Sequence, residues 1–339
     1  MKKKSVWIWI ISAGILLIFV LTLQTGVHYE DLLNSSEARE SIESEKQYHY
    51  VMLIDTADSD FWKSIYESAK KEAEKQNVIL ELSTYSDAED YTIAERMEMC
   101  MASKVDGIIL KYGGEPELDT LIKKAKEEKI PVVTVLNDAG KSGSISYVGV
   151  NNYQLAEQYG DEILKILDPQ VKNITVLTHG KNEENVEQAV YSQINRIIRS
   201  SEKASEDLSM QICPLEAEKA FDTETEIWSL IRNEETMPDI LVCLNEEDTE
   251  CAYQALINYN LVGKVRIIGY YHTETILKAV AEGNISAVME LDTKKIGTYC
   301  ITALTEYKEY GYVNSFYDVN LSVTDKDKAE DQINNQHRK

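Results

Sequence analysis

The sequence has no C-x-x-C pair, and its five cysteines (Cys100, Cys213, Cys243, Cys251, Cys300) are scattered. An odd number in dissimilar settings excludes a disulfide framework and a zinc site of ordinary spacing. Cys243 in "DILVCL" and Cys100 in "RMEMCMA" read as small core residues. Histidine is as sparse, with five dispersed copies. His179 and His272 read as strand-end polar residues rather than metal ligands. Phosphate cradles and nucleophile elbows are missing too. "KYGGEPE" follows a strand and opens a helix without the G-x-G-x-x-G or P-loop spacing, and "GKSGS" is not G-x-S-x-G. The sequence therefore predicts no cofactor, no metal and no enzymatic reaction. Positive charge is also short. Lys and Arg number 35 against 58 Asp and Glu, a net charge of −23, which repels phosphate backbones and argues against nucleic acid as a partner.

Long apolar runs are absent after the first 23 residues, which makes the one at the start informative. Lys2, Lys3 and Lys4 precede Val6–Leu23, 18 residues without a charge. As a helix this run would be about 27 Å long, close to the hydrocarbon thickness of a bilayer. A cleavable signal normally has a shorter apolar region and a small-residue cleavage site, and "LTLQTG" is a poor match. No cysteine stands where a lipid anchor would attach. The expectation is an uncleaved single-pass anchor in the cell membrane, with the lysines cytoplasmic and the bulk of the chain outside. Residues 24–47, with "NSSEARESIESEK", read as a polar stalk.

Beyond Tyr48, β-rich runs alternate with amphipathic helical stretches. The strand candidates are "YHYVMLID", "VILELSTY", "GIILKY", "PVVTVL", "ITVLTH", "MQICPL", "DILVCLN", "VRIIGYY" and "ISAVMEL". Near-continuous apolar strands separated by charged helices predict parallel sheets covered on both faces. They fall into two successive βαβ series, about four strands up to Leu136 and four or five from Ile174. A single long sheet is the alternative, but each series has a full set of crossover helices, so the fold class expected is α/β, with two doubly wound parallel-sheet lobes.

In open parallel sheets, ligands gather beyond the carboxyl ends of the strands. Those ends carry Asp55 to Trp62, Lys111 to Glu115, Asn137 and Asp138, Thr178 to Lys181, Asn245 to Asp248, and Tyr270 to Thr273. Carboxylates, amides and hydroxyls hydrogen-bond a polyhydroxylated solute, and a flat ring packs on its CH face. Phe61 and Trp62 suit that second task, although first-turn packing against the sheet would also explain them. The run Glu246–Glu247–Asp248 reads most simply as a helix N-terminal turn, where negative charge is favourable.

Five ordered blocks carry a resemblance. They are "YVMLIDTADSDFWKSIYESAKKEAEK", "VDGIILKYGGEPELDTLIKKAKEEKIPVVTVLND", "YVGVNNYQLAEQYGDEI", "CLNEEDTECAYQALINYN" and "RIIGYYHTETILKAVAEGNISAVMELDTKKIG". Over Tyr48 to Val323 the chain resembles the type I periplasmic binding proteins, especially the ribose-binding group. The resemblance implies two lobes joined by three hinge crossings, near Gly149–Asn151, Glu290–Asp292 and Tyr317–Asn320, with a solute trapped between them. It implies a first lobe of 48–150 plus 291–318, a second of 151–290 plus 319–326, and a polar tail over 327–339.

Position by position, the resemblance places Asp55, Ser59, Phe61 and Trp62 in the first ligand-binding turn. It places Asn137, with Asp138, after the fourth strand. Phe221 becomes the second-lobe aromatic, Asn245 a ligand amide and Glu290 the polar residue before the last crossing. Two arginines of the ribose binders are missing, and Tyr271 stands where their aspartate is expected. A different sugar, an amino sugar or a cationic solute suits this lining better than ribose. The function implied is a membrane-tethered solute-binding protein that delivers a carbohydrate-like ligand to an ABC permease. The alternative is a sensor of the same fold read by a membrane histidine kinase.

Overall fold

The computed structural model describes residues 22, 47–54, 59–84, 91–179, 186–215, 220–232 and 237–336. The proposed anchor, the stalk and Asp55 lie outside the described residues, apart from single positions at the edges. Among the described residues no helix is long and apolar enough to cross a membrane.

The first half of the chain alternates strand and helix as its apolar pattern requires. β1 (Tyr48–Leu53), α1 (Asp60–Lys75), β2 (Val78–Ser83), α2 (Ile93–Ala102) and β3 (Gly107–Lys111) come first. α3 (Pro116–Glu127), β4 (Val132–Val135) and β5 (Ser146–Gly149) follow. β3 and β4 are buried at almost every position, as strands covered on both faces must be. The helices begin at residues that satisfy, or in the case of proline remove, free N–H groups. Ser59 caps α1, Thr92 and Glu95 form a reciprocal capping box on α2, and Pro116 opens α3.

The second half repeats the pattern. α4 (Asn152–Ile166), β6 (Asn173–His179), α5 (Val186–Arg199), β7 (Ser209–Leu215), α6 (Ala220–Arg232) and β8 (Ile240–Val242) lead to α7 (Glu246–Asn258). β9 (Arg266–Tyr270), α8 (Glu274–Ala281) and β10 (Ala287–Leu291) complete it. The chain then runs through α9 (Thr293–Tyr310), β11 (Phe316–Asp318), β12 (Leu321–Asp325) and α10 (Lys326–Gln336).

Two six-stranded sheets result, ordered β11-β5-β4-β3-β1-β2 and β12-β10-β9-β8-β6-β7. Every pairing is parallel except β10 with β12. Each sheet has its own core. Leu53, Met97, Ile108, Leu110 and Ile122 pack in one, and Leu177, Leu241, Ile267, Leu277 and Val288 in the other. This is the α/β two-lobe architecture with parallel sheets.

The chain passes between the sheets three times: after β5, after β10 and between β11 and β12. The passages are laced together. Val319 N–H donates to the Gly149 carbonyl at 2.9 Å, and Asp292 N–H to the Asn320 carbonyl at 3.1 Å. Lys295 Nζ reaches Asn320 Oδ1 at 2.9 Å.

Two differences from the sequence expectation have clear reasons. β5, β11 and β12 are not among the strand candidates: all three are short, and β11 and β12 are edge strands whose exposed positions interrupt an apolar run. The stretch expected to be a polar tail is instead helix α10, which packs on α8. Among the described residues, its apolar side chains in the second core are Ala329, fully buried, and Ile333, so its helical stripe is too thin to stand out among polar neighbours.

Candidate functional site

The start of α1 faces the second lobe. Ser59 accepts from Trp62 N–H at 3.2 Å, which starts α1 and brings two aromatic residues into its first turn. Phe61 and Trp62 are 2% and 5% exposed. Their rings meet edge to face at 5.5 Å, and Lys111 Nζ lies 5.8 Å from the Trp62 ring centre. Phe61 also meets two second-lobe rings, Tyr271 at 5.0 Å and Tyr270 at 5.8 Å.

Tyr271 follows the last residue of β9 with φ of +59°, a left-handed conformation uncommon for a residue with a side chain. Leu136 does the same after β4, with φ of +70°. Non-glycine residues held there concentrate at functional sites. Both turns stand at carboxyl ends of strands. Tyr271 stacks on His272 at 5.7 Å, and His272 Nδ1 lies 2.5 Å from Glu290 Oε1. A ladder of rings (Trp62, Phe61, Tyr271, His272) thus runs from one lobe to the other and ends on Glu290, next to a crossing.

The other second-lobe residues form a polar network. Asn245 Oδ1 accepts from Asp248 N–H at 2.8 Å, capping α7, while its Nδ2 donates to Asp248 Oδ2 at 2.8 Å. Asp248, fully buried, also lies 2.9 Å from His179 Nε2, and His179 N–H donates to Glu187 at 2.5 Å. Burial alone would lower the pKa of His179. The Asp248 hydrogen bond and the charges of Asp248, Glu187 and Glu247 outweigh it and raise the imidazole to about 9. Burial pushes the Glu187 carboxyl up.

Glu246 makes the contact that ties the walls together. From the first turn of α7 it reaches across to the first lobe and accepts a hydrogen bond from Ser59 Oγ. Phe61 N–H donates to the same carboxylate at 3.2 Å. Burial raises its pKa, and the Ser59 and Phe61 bonds oppose that rise. Burial, followed by the charge of Glu246, also raises the Tyr271 hydroxyl.

Of the residues singled out from sequence, Ser59, Phe61, Trp62 and Tyr271 come together, and Glu290 joins them through His272. Asn137 and Asp138 shape the turn after β4. Asn137 Nδ2 donates to the Tyr112 carbonyl at 2.8 Å, and Asp138 Oδ1 accepts from Gly140 N–H at 2.7 Å. Asn245 sits at the expected strand end, but both ends of its amide are engaged by Asp248. Phe221 lies in α6, and its side chain, like all of Asp55, is outside the described residues.

Sequence reasoning places Glu246, Asp248 and His179 at strand ends but reads them as a helix N-terminal turn and a strand-end polar residue, and it does not single out Glu187. Acids are so common in first helical turns that spacing cannot reveal one that turns outward to another lobe. Among the described residues, no three His, Cys, Asp or Glu side chains are placed to hold a metal ion.

A family model described as "Periplasmic binding protein domain" matches residues 50–311. The chain is 26% identical over 241 residues to the fructose import binding protein FruE of Bifidobacterium longum (strain NCC 2705), covering 69% of this chain and 71% of FruE. Two solved structures share the fold at a TM-score of 0.71 each. GanP, a glucose-galactose binding protein from Geobacillus stearothermophilus, is 20% identical, with 84% of this chain and 99% of that one covered. The XylFII-LytSN complex is 22% identical, with the same two coverages.

Proposed function

Because the chain belongs to the periplasmic binding protein domain family, we propose that it traps a sugar or sugar-like solute between its lobes and presents it to an ABC-type permease. The observation that carries this reading is the meeting of strand-end residues from both sheets around Phe61, Tyr271 and Glu246. Flat rings beside carboxylates, an imidazole and hydroxyls suit a solute with apolar CH faces and a rim of hydroxyl groups. The names of FruE, a fructose import binding protein, and GanP, a glucose-galactose binding protein, support a carbohydrate. The lobes in this reading are 48–150 plus 291–318 and 151–290 plus 319–326, hinged at the three passages. The lining proposed from the sequence, Asp55, Asn137, Asp138, Phe221 and Asn245 included, is part of the same proposal.

The activity proposed is binding, with no bond made or broken. A thermal-shift screen of the full chain against neutral sugars, amino sugars and small amines tests it. A binder at 100 times its dissociation constant should add about 2.7 kcal/mol of stability. A screen in which no sugar raises the melting temperature would remove the carbohydrate reading.

We also propose that residues 6–23 hold the protein in the membrane with its bulk outside the cytoplasm. The support is the uncharged run behind three lysines. Cell fractionation with mass spectrometry of the mature N-terminus tests this, and a soluble form beginning near Thr25 would overturn it. A second reading is favoured by the solved complex of XylFII with LytSN, a binding-protein fold held by a second protein. In that reading closure is sensed by a membrane receptor such as a histidine kinase instead of a permease. Affinity capture from membranes separates the two, by recovery of permease and ATPase subunits or of a receptor.

A further inference from the structure

We propose that Glu246 is an interlobe latch that holds the two lobes together by itself, before any solute contributes. This goes beyond the solute-binding reading and does not depend on which solute the cleft takes.

The contact is built from opposite sides. Glu246 stands in the first turn of α7, which packs on β9 of the second sheet. Its partners, Ser59 Oγ and the N–H of Phe61, belong to the N-terminus of α1, which packs on β2 of the first sheet and on α9. The sequence separation is 185 residues or more. No part of this contact can form within one lobe.

Its chemistry suits a latch. The first N–H groups of a helix have no partner inside the helix, and a carboxylate is the acceptor they favour. Ser59 already accepts from Trp62 N–H, so its own proton is free to go to Glu246. One carboxylate therefore satisfies two donors on the far wall, and charged acceptors make the stronger hydrogen bonds. The residue is 9% exposed. Opening would return the carboxylate to water and expose Phe61, whose ring rests on Tyr270 and Tyr271. The polar latch and the aromatic contact are adjacent, so they break together.

The charges facing this carboxylate add to the argument. Glu250 lies on its own helix and Asp60 on α1, both of like sign. The latch therefore works against repulsion and burial, and its two hydrogen bonds must offset both. A glutamine keeps an oxygen that accepts from Phe61 N–H without the buried charge, and alanine keeps nothing.

The test measures the distance between the lobes in the full chain without added solute. Spin labels at Lys123 on α3 and Lys278 on α8, both exposed and outside the cleft, report it by pulsed electron resonance. The wild type should show a dominant short-distance population. Glu246→Ala should lower the ratio of short to long distances by about tenfold or more, and Glu246→Gln should keep it. Both variants should retain the wild-type far-ultraviolet circular dichroism. If Glu246→Ala does not fold, Ser59→Ala provides the same comparison from the other wall. Wild-type and alanine distributions that coincide, a wild type that is mainly open, or a glutamine variant as open as alanine would each overturn the latch. Failure of the sugar screen would leave these distances as they are, so the two proposals fail separately.

Discussion

At the residue scale, the site is governed by buried charges that hold one another. His179 keeps its proton to about pH 9, well above the usual imidazole value near 6.5. A folded-state pKa raised in this way contributes stability that is complete below about pH 6.5 and is lost as pH rises through about 9. Thermal melts across that window should show the decline, and Asp248→Asn, which removes the partner, should flatten it. Asn245→Ala removes the α7 cap and one support of Asp248 together. A loss of about 1–2 kcal/mol is expected in denaturant titrations. Trp62 is buried against Phe61, so Trp62→Ala should cost about 3 kcal/mol or more of stability, measurable by the same titration, while also weakening a solute that rests on that wall. An alanine variant with unchanged stability would show that the ring lies in the cleft and not in the packing.

At the element scale, most strands were legible because strands covered on both faces need continuous apolar runs, as in "GIILK" and "PVVTV". The helices between them were legible from their charged outer faces. β11 and α10 were not, since β11 is a largely exposed edge strand and α10 gives the core two apolar side chains, Ala329 and Ile333. The candidate site was half legible. Its aromatic pair stood out as two large rings side by side at a strand end, with first-turn packing as the competing reading, whereas Glu246 looked like any first-turn acid. One packing feature was invisible in the sequence. Gly297 on α9 lies against the backbone of α1, where an added Cβ would come within 2.3 Å of the Ile65 carbonyl oxygen and 2.6 Å of the Ala69 nitrogen. Glycine in an exposed helix interior would cost about 1 kcal/mol relative to alanine. Here the sign should reverse, with Gly297→Ala destabilising the protein by about 1–3 kcal/mol because the helices must separate. A calorimetric melt decides the sign.

At the scale of the whole molecule, the described contacts between the lobes, beside three laced passages, gather around Glu246 and Phe61, so their separation should respond to small changes. Small-angle scattering of Glu246→Ala should give a larger radius of gyration than the wild type, and a saturating validated solute should bring it back to the wild-type value. A radius that stays large with solute bound would mean that the solute does not close the lobes. The passages have another consequence, for the order in which the protein is made. β11 is the edge strand of the first sheet and β12 the edge strand of the second, and both come from the last tenth of the sequence. A chain emerging from the ribosome ordinarily completes one domain before the next appears. Here the first lobe lacks a strand until residue 318 is free, and the second until residue 325. A nascent chain stopped at Gly311 would leave each sheet one strand short, so the protein stays unfinished, and open to chaperones or to threading through a narrow channel, until synthesis is nearly over.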